Sequence, residues 1–202
     1  MSDNSARLAV FVSGGGTNLQ ALIDAAQSGR LSAQIVWVVS STRKAFGLQR
    51  AAREGIETFV FRTGRYASPE EAGDDLLNKL RARRVDFIAL AGYLKLVPLA
   101  VVRAYSGRVV NIHPALLPRH GGKGMYGLRV HEAVLAAGDK ETGPTVHLVD
   151  EVYDRGKVLE QIRIPVLKND TAESLAARVL VEEHKLYPAV MEKLITGKYE
   201  VD

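Results

Sequence analysis

The chain has 202 residues, enough for one domain with a sizeable core, and its 47% hydrophobic and 25% charged content is that of an ordinary soluble fold. A formal charge of +4, spread without a run of five basic residues, suits an anionic small molecule and gives no reason to expect nucleic acid. Cysteine is absent, which excludes disulfides and thiolate metal sites. The five histidines lack zinc spacing, and the apolar runs are strand-sized, so no metal, signal peptide or membrane span is expected and the address is cytoplasmic.

Met1 to Arg7 reads as a polar tail. Leu8 to Val12 reads as a buried strand, followed by a glycine turn and a helix from about Asn18 to Gln27 with Leu19, Leu22, Ile23 and Ala26 on one face. Ile35–Val39 is a second strand, Phe46–Glu54 a helix stopped by Gly55, and Ile56–Phe61 a third strand. Pro69 opens a third helix, with Glu70 and Glu71 suited to its first turn. Val85–Ala91, a short helix Pro98–Tyr105 and Arg108–Ile112 continue the alternation. After a Gly- and Pro-rich stretch, His113–Gly127, come a helix near Val130–Ala137, strands near Thr145–Val149 and Lys157–Val166, and a long helix from about Thr171 to Leu194. Strands apolar on both faces, separated by helices, predict an α/β fold with a doubly wound, mostly parallel sheet and an antiparallel addition in the C-terminal half. One domain spans 1–202, with a nucleotide-binding half at about 8–112 and a catalytic half at about 85–196.

Such sheets bind ligands at the carboxyl ends of their strands, and three polar clusters follow strands directly. In Ser13-Gly14-Gly15-Gly16-Thr17-Asn18 consecutive glycines let a phosphate approach the backbone at a helix N-terminus, although the loop is neither a Walker A nor a G-x-G-x-x-G motif. A tight turn capped by Thr17 or Asn18 is the plainer reading. In Asn111-Ile112-His113-Pro114 the strand alternation sends Asn111 and His113 to one side. An amide donor for a developing oxyanion and an imidazole titrating near neutrality are what acyl transfer needs. In the acidic turn after Val149, Asp150 and Asp154 both qualify as the carboxylate that would raise the imidazole's pKa and accept a proton; spacing alone does not separate them, though Gly156 favours Asp154. His147 reads as a supporting residue that orients a neighbour.

These clusters, with Glu182-Glu183-His184-Lys185-Leu186-Tyr187-Pro188, resemble the glycinamide ribonucleotide formyltransferase family within the folate-dependent formyltransferases, over about Leu8 to Leu194. The resemblance implies transfer of a formyl group from 10-formyltetrahydrofolate to the amine of glycinamide ribonucleotide in purine biosynthesis, by a monomer or homodimer that needs no metal. It implies Asn111, His113 and Asp154 as the catalytic set, and Gly15, Gly16, Thr17 and Asn18 at the phosphate, with Glu183 at the ribose. Leu94, Lys95, Leu96, Val97, Asn111 and Asp150 would form the folate pocket. Two departures stand out. The loop 119–130 is longer than in compact members and reads either as a mobile flap offering Lys123 or as decoration, and Arg155 stands where a second glycine is usual. The rival readings are a 10-formyltetrahydrofolate hydrolase and a non-catalytic nucleotide-binding module. The single domain and the lack of a basic extension favour glycinamide ribonucleotide over tRNA or sugar nucleotides.

Overall fold

The structure, a computed structural model, describes residues 5–152 and 154–199. In chain order its elements are β1 (Ala6–Val12), α1 (Thr17–Gln27), β2 (Ala33–Ser40), α2 (Phe46–Arg53), β3 (Thr58–Val60), α3 (Pro69–Ala82), β4 (Phe87–Leu90) and α4 (Leu99–Ala104). They continue with β5 (Val109–His113), α5 (Leu128–Ala136), β6 (Glu141–Thr142), β7 (Thr145–Leu148), β8 (Val158–Gln161), β9 (Ile164–Pro165) and α6 (Ala172–Ile195).

Seven strands form one sheet in the order β3-β2-β1-β4-β5-β7-β8. The first five are parallel, and β7 and β8 are antiparallel to their neighbours. The sheet is therefore mixed and mostly parallel, with helices on both faces, as the sequence predicts. Alternation along β1 explains the layering: Leu8, Val10 and Val12 pack with α1 and α6 on one face, while Ala9 and Phe11 pack with α3 and α4 on the other. Full burial of a Leu, Val or Phe side chain stabilises the fold by about 1.5–3 kcal/mol, so the central strands dominate its stability. Among the described residues no helix is long and apolar enough to cross a membrane.

Local chemistry sets the helix ends. The Ser68 hydroxyl accepts the Glu71 N–H at 3.1 Å, and Pro69 with Glu70 and Glu71 fills the first turn of α3. Thr171 and Ser174 exchange side-chain and backbone hydrogen bonds in a capping box that starts α6.

Two expectations need correction. Ala6 and Arg7, read as tail, belong to β1; the Arg7 N–H donates to Asp86 Oδ2 at 2.8 Å, which tethers that end of the strand, and residues 1–4 lie outside the described residues. The single strand expected over Lys157–Val166 is two. The Ile162 N–H donates to the Pro144 carbonyl, and the chain passes so close to Gly143 that a Cβ there would lie 1.9 Å from the Ile162 oxygen. That contact bends the chain out of the main sheet, and β9 pairs instead with the two-residue β6, which carries no pattern long enough to read.

Candidate active site

The strand order reverses between β1 and β4, so the turns after these two strands diverge and leave a crevice. Ser13 bridges them: its N–H donates to the Gly92 carbonyl at 3.0 Å, and its hydroxyl accepts the Leu94 N–H at 2.9 Å. The crevice widens into a cleft of about 1670 Å³. Its walls carry every site residue expected from the sequence: Gly15, Gly16, Thr17, Asn18 and Glu183, then Leu94, Lys95, Leu96, Val97 and Asp150, with Asn111, His113, His147 and Asp154.

The glycine turn is held from behind. The Gly14 carbonyl accepts the Gly47 N–H at 3.1 Å, the Gly15 carbonyl accepts Arg50 Nε at 2.9 Å, and the Gly16 carbonyl accepts the Gln20 N–H at 3.0 Å. In a trans peptide the next N–H points opposite to the carbonyl, so the N–H groups of Gly15, Gly16 and Thr17 are turned away from α2 and from the body of α1. Among the described residues none of the three meets a protein acceptor. Together with the positive end of α1 they make a concave set of donors chemically suited to an anion. Gly16, at φ 71°, is itself the N-cap, and no side chain caps the helix, unlike the capped turn that Thr17 or Asn18 would give. Asn18 Nδ2 instead donates to Glu183 Oε2 at 2.5 Å. Burial pushes the Glu183 carboxyl up, and the Asn18 hydrogen bond opposes it. Asn18 Oδ1 is buried without a protein partner, an acceptor suited to a ligand hydroxyl or amine.

Asn111 and His113 stand two residues apart near the end of β5, and the β7–β8 connection folds back to bring Asp154 to them. His147 Nδ1–H donates to the Leu148 carbonyl at 2.8 Å, which leaves Nε2 to accept from Asn111 Nδ2 at 3.1 Å. His147 thereby fixes the orientation of the Asn111 amide. Asp154 Oδ1 lies 3.5 Å from His147 Nε2, and its Oδ2 lies 3.7 Å from His113 Nδ1 while accepting the Gly122 N–H at 2.8 Å. His113 Nε2 faces the His120 carbonyl at 2.8 Å, so the resting proton sits on Nε2 and Nδ1 is turned toward the carboxylate.

The electrostatics differ in part from the sequence expectation. Asp154 does push the His113 pKa up, but burial is the larger effect and carries it below its ordinary value. For Asp154, burial is again the largest single influence and would raise the pKa. The hydrogen bond from the Gly122 N–H and the proximity of the His147 and His113 rings outweigh it and hold the group ionised. Gly156 allows the tight turn as expected, since a Cβ there would meet the Leu148 carbonyl at 1.8 Å, yet Asp154 is itself left-handed at φ 54°. Asp150 faces inward less directly: its carboxylate accepts the Val152 N–H and shapes the loop. Lys123 lies on the cleft wall. Sequence reasoning passes over His120, Gly122 and His131, because nothing local marks them; the glycines of the loop are the one available signal.

An open, mostly parallel sheet with free backbone donors at its switch point and an Asn–His–Asp cluster in the same cleft is an arrangement chemically suited to group transfer. The chain matches the formyl transferase family over residues 6–191 and belongs to that family. It is 48% identical over 188 residues to the chloroplastic phosphoribosylglycinamide formyltransferase of Vigna unguiculata, covering 93% of this chain and 60% of that protein. It is 36% identical to the phosphoribosylglycinamide formyltransferase of Haemophilus influenzae, covering 95% of this chain and 88% of that protein. The crystal structure of glycinamide ribonucleotide transformylase 1 from Symbiobacterium toebii superposes with a TM-score of 0.91 at 36% identity, over 100% of this chain and 92% of that one.

Proposed function

We propose that the protein transfers the formyl group of 10-formyltetrahydrofolate to the primary amine of glycinamide ribonucleotide. The observation that carries the reading is the approach of Asn111, His113 and Asp154 to one another on the wall of a single cleft that also holds free backbone N–H donors and apolar side chains. The donor set fits the two ligands. Free amides at Gly15, Gly16 and Thr17 suit a phosphate, and the unpartnered Asn18 Oδ1 with Glu183 suits ribose hydroxyls. Leu90, Leu96, Val97 and Leu99 with the backbone after β4 suit a flat heterocycle that needs both apolar contact and hydrogen bonds.

The folate supplies an activated formyl group; the chain's residues do the rest. Asn111, oriented by His147, directs its second amide hydrogen to the oxygen that turns negative when the formyl carbon becomes tetrahedral; removing one such donor costs about 10²–10³ in rate. His113 and Asp154 work as a couple. The ionised carboxylate attracts the proton that the attacking amine loses, and His113 Nδ1, 3.7 Å from Asp154 Oδ2 and so beyond direct hydrogen-bond reach, receives it by way of a water and presents it to the oxyanion. When the tetrahedral centre collapses, the couple returns that proton to the departing folate nitrogen. Because burial disfavours the imidazolium, His113 gives the proton up readily.

The decisive experiment follows tetrahydrofolate release spectroscopically from 10-formyltetrahydrofolate, with and without glycinamide ribonucleotide. Release only with the amine supports transfer; release without it indicates hydrolysis, and no release in either case rejects the enzyme reading. Asp154→Asn is expected to lower kcat by at least 10²-fold with both KM values little changed. Turnover near the parent level would remove Asp154 from the mechanism.

A further inference from the structure

His120 and Asp139 lie behind the cleft wall, and neither lines the cleft. His120 is left-handed at φ 53° without being glycine, and this turns its carbonyl onto His113 Nε2 at 2.8 Å. Two residues on, the Gly122 N–H donates to Asp154 Oδ2 at 2.8 Å. One short segment therefore touches both members of the couple, each through a backbone group, and sets the distance between them.

The segment is anchored from the other side by a single carboxylate. Asp139 Oδ2 meets His120 Nε2 at 2.7 Å, and its Oδ1 pairs with Arg119. Asp139 follows the C-terminal end of α5, where its N–H donates to the Val134 carbonyl at 3.3 Å, and its side chain is only 6% exposed. Hydrogen bonding from His120 is the main reason its pKa lies below the usual range, with Arg119 adding to the effect. Gly121 is closely confined too: a Cβ there would lie 2.5 Å from Leu117 Cδ2 and 3.2 Å from Asp154 Cβ, so the chain has little room to shift. The base of the 119–130 loop is thus tied on both sides, to the His113–Asp154 pair and to Asp139.

We propose that Asp139 and His120 are positioning residues for the reaction: by anchoring the 119–122 segment they fix which nitrogen of His113 carries the resting proton and where Asp154 stands. This rests on the reading of His113 and Asp154 as the catalytic couple. Asp139 keeps His120 turned; the His120 carbonyl keeps the proton on Nε2; Nδ1 is left for the carboxylate and the reacting atoms. The titratable groups facing His113 are Asp154, His147, His120 and His131. Loss of the carbonyl contact removes one of the influences that raise the His113 pKa.

The test compares the full chain with Asp139→Asn and His120→Gly, glycine being chosen because it tolerates the left-handed backbone while losing the anchor. In each variant kcat is expected to fall about tenfold or more with both KM values within about twofold, and the His113-dependent limb of the pH–rate profile is expected to move to lower pH. Nitrogen-15 NMR of the imidazoles is expected to show His113 as the Nε2–H tautomer in the parent and as a mixture in the variants. Variants that are merely less heat-stable, with parent kcat at 25 °C and an unmoved tautomer and pH profile, overturn the proposal. If Asp139→Asn does not fold, His120→Gly decides on the same readouts. An unaffected Asp154→Asn enzyme would instead overturn the underlying couple, so the two failures are distinguishable.

Discussion

The His131 imidazole is 3% exposed, and its Nδ1 has no protein partner. Burial, with the charge of His113 adding to it, pushes its pKa from the ordinary 6.5 down to about 4. A folded-state pKa below the unfolded one means that the unfolded chain binds the extra proton. The contribution is therefore fully present above pH 6.5 and is lost as the pH falls toward 4. Each unit of the depression is worth about 1.4 kcal/mol. Urea midpoints at pH 7, 5.5 and 4.5 are expected to fall steeply for the parent and less steeply for His131→Gln; parallel slopes would remove His131 as the source. At this scale the sequence shows some residues and hides others. Asn111 and His113 are legible because a strand's period of two puts them on one face. Asp154 is separated from Asp150 by the nearby Gly156 and by resemblance and not by spacing, since the turn that brings it inward depends on its own left-handed backbone and on Gly156 lying against Leu148. His120 leaves no local trace, because its role passes through a carbonyl and a carboxylate 19 residues away.

Among the elements, the glycine turn packs closely on α2. A Cβ on Gly16 would stand 2.7 Å from Gly47 Cα, and the residue is already at φ 71°, whereas a Cβ on Gly15 meets nothing within 4 Å. Gly16→Ala is accordingly expected to cost roughly 2 kcal/mol in urea unfolding, from overpacking together with backbone strain. It should also raise the KM for the ribonucleotide more than that for the folate. Gly15→Ala should leave stability within about 0.5 kcal/mol. Equal losses in the two variants would show that packing against α2 is not what the third glycine provides. The elements themselves are legible wherever the apolar period is long, as in β1, α3 and α6. The two-residue β6 and the break between β8 and β9 are set by the approach of Ile162 to Gly143, a tertiary contact that periodicity does not encode.

For the whole molecule, α6 joins the sheet to the cleft. Tyr187 is fully buried, and its hydroxyl contacts the carbonyls of Leu90 at 3.1 Å and Val110 at 3.0 Å, on adjacent strands β4 and β5. Burial holds its pKa far above the ordinary tyrosine value, so the phenol remains a donor across the working pH range. Removing that donor leaves buried acceptors less well satisfied, at a cost of about 1–3 kcal/mol. For a chain of this length Tyr187→Phe is expected to lower Tm by roughly 2–4 °C per kcal/mol; an unchanged Tm in calorimetry would mean that the strand ladder alone satisfies both carbonyls.

The Asn18–Glu183 hydrogen bond spans 165 positions of the chain. Asn18 is synthesised 165 residues before Glu183, so the strands β1 to β5 can pair while that part of the cleft still lacks its acid. On the proposed function, the part of the cleft formed by Asn18 and Glu183 is complete only once α6 packs against α1. A ligand present during refolding would act on that final step and leave the earlier ones unchanged.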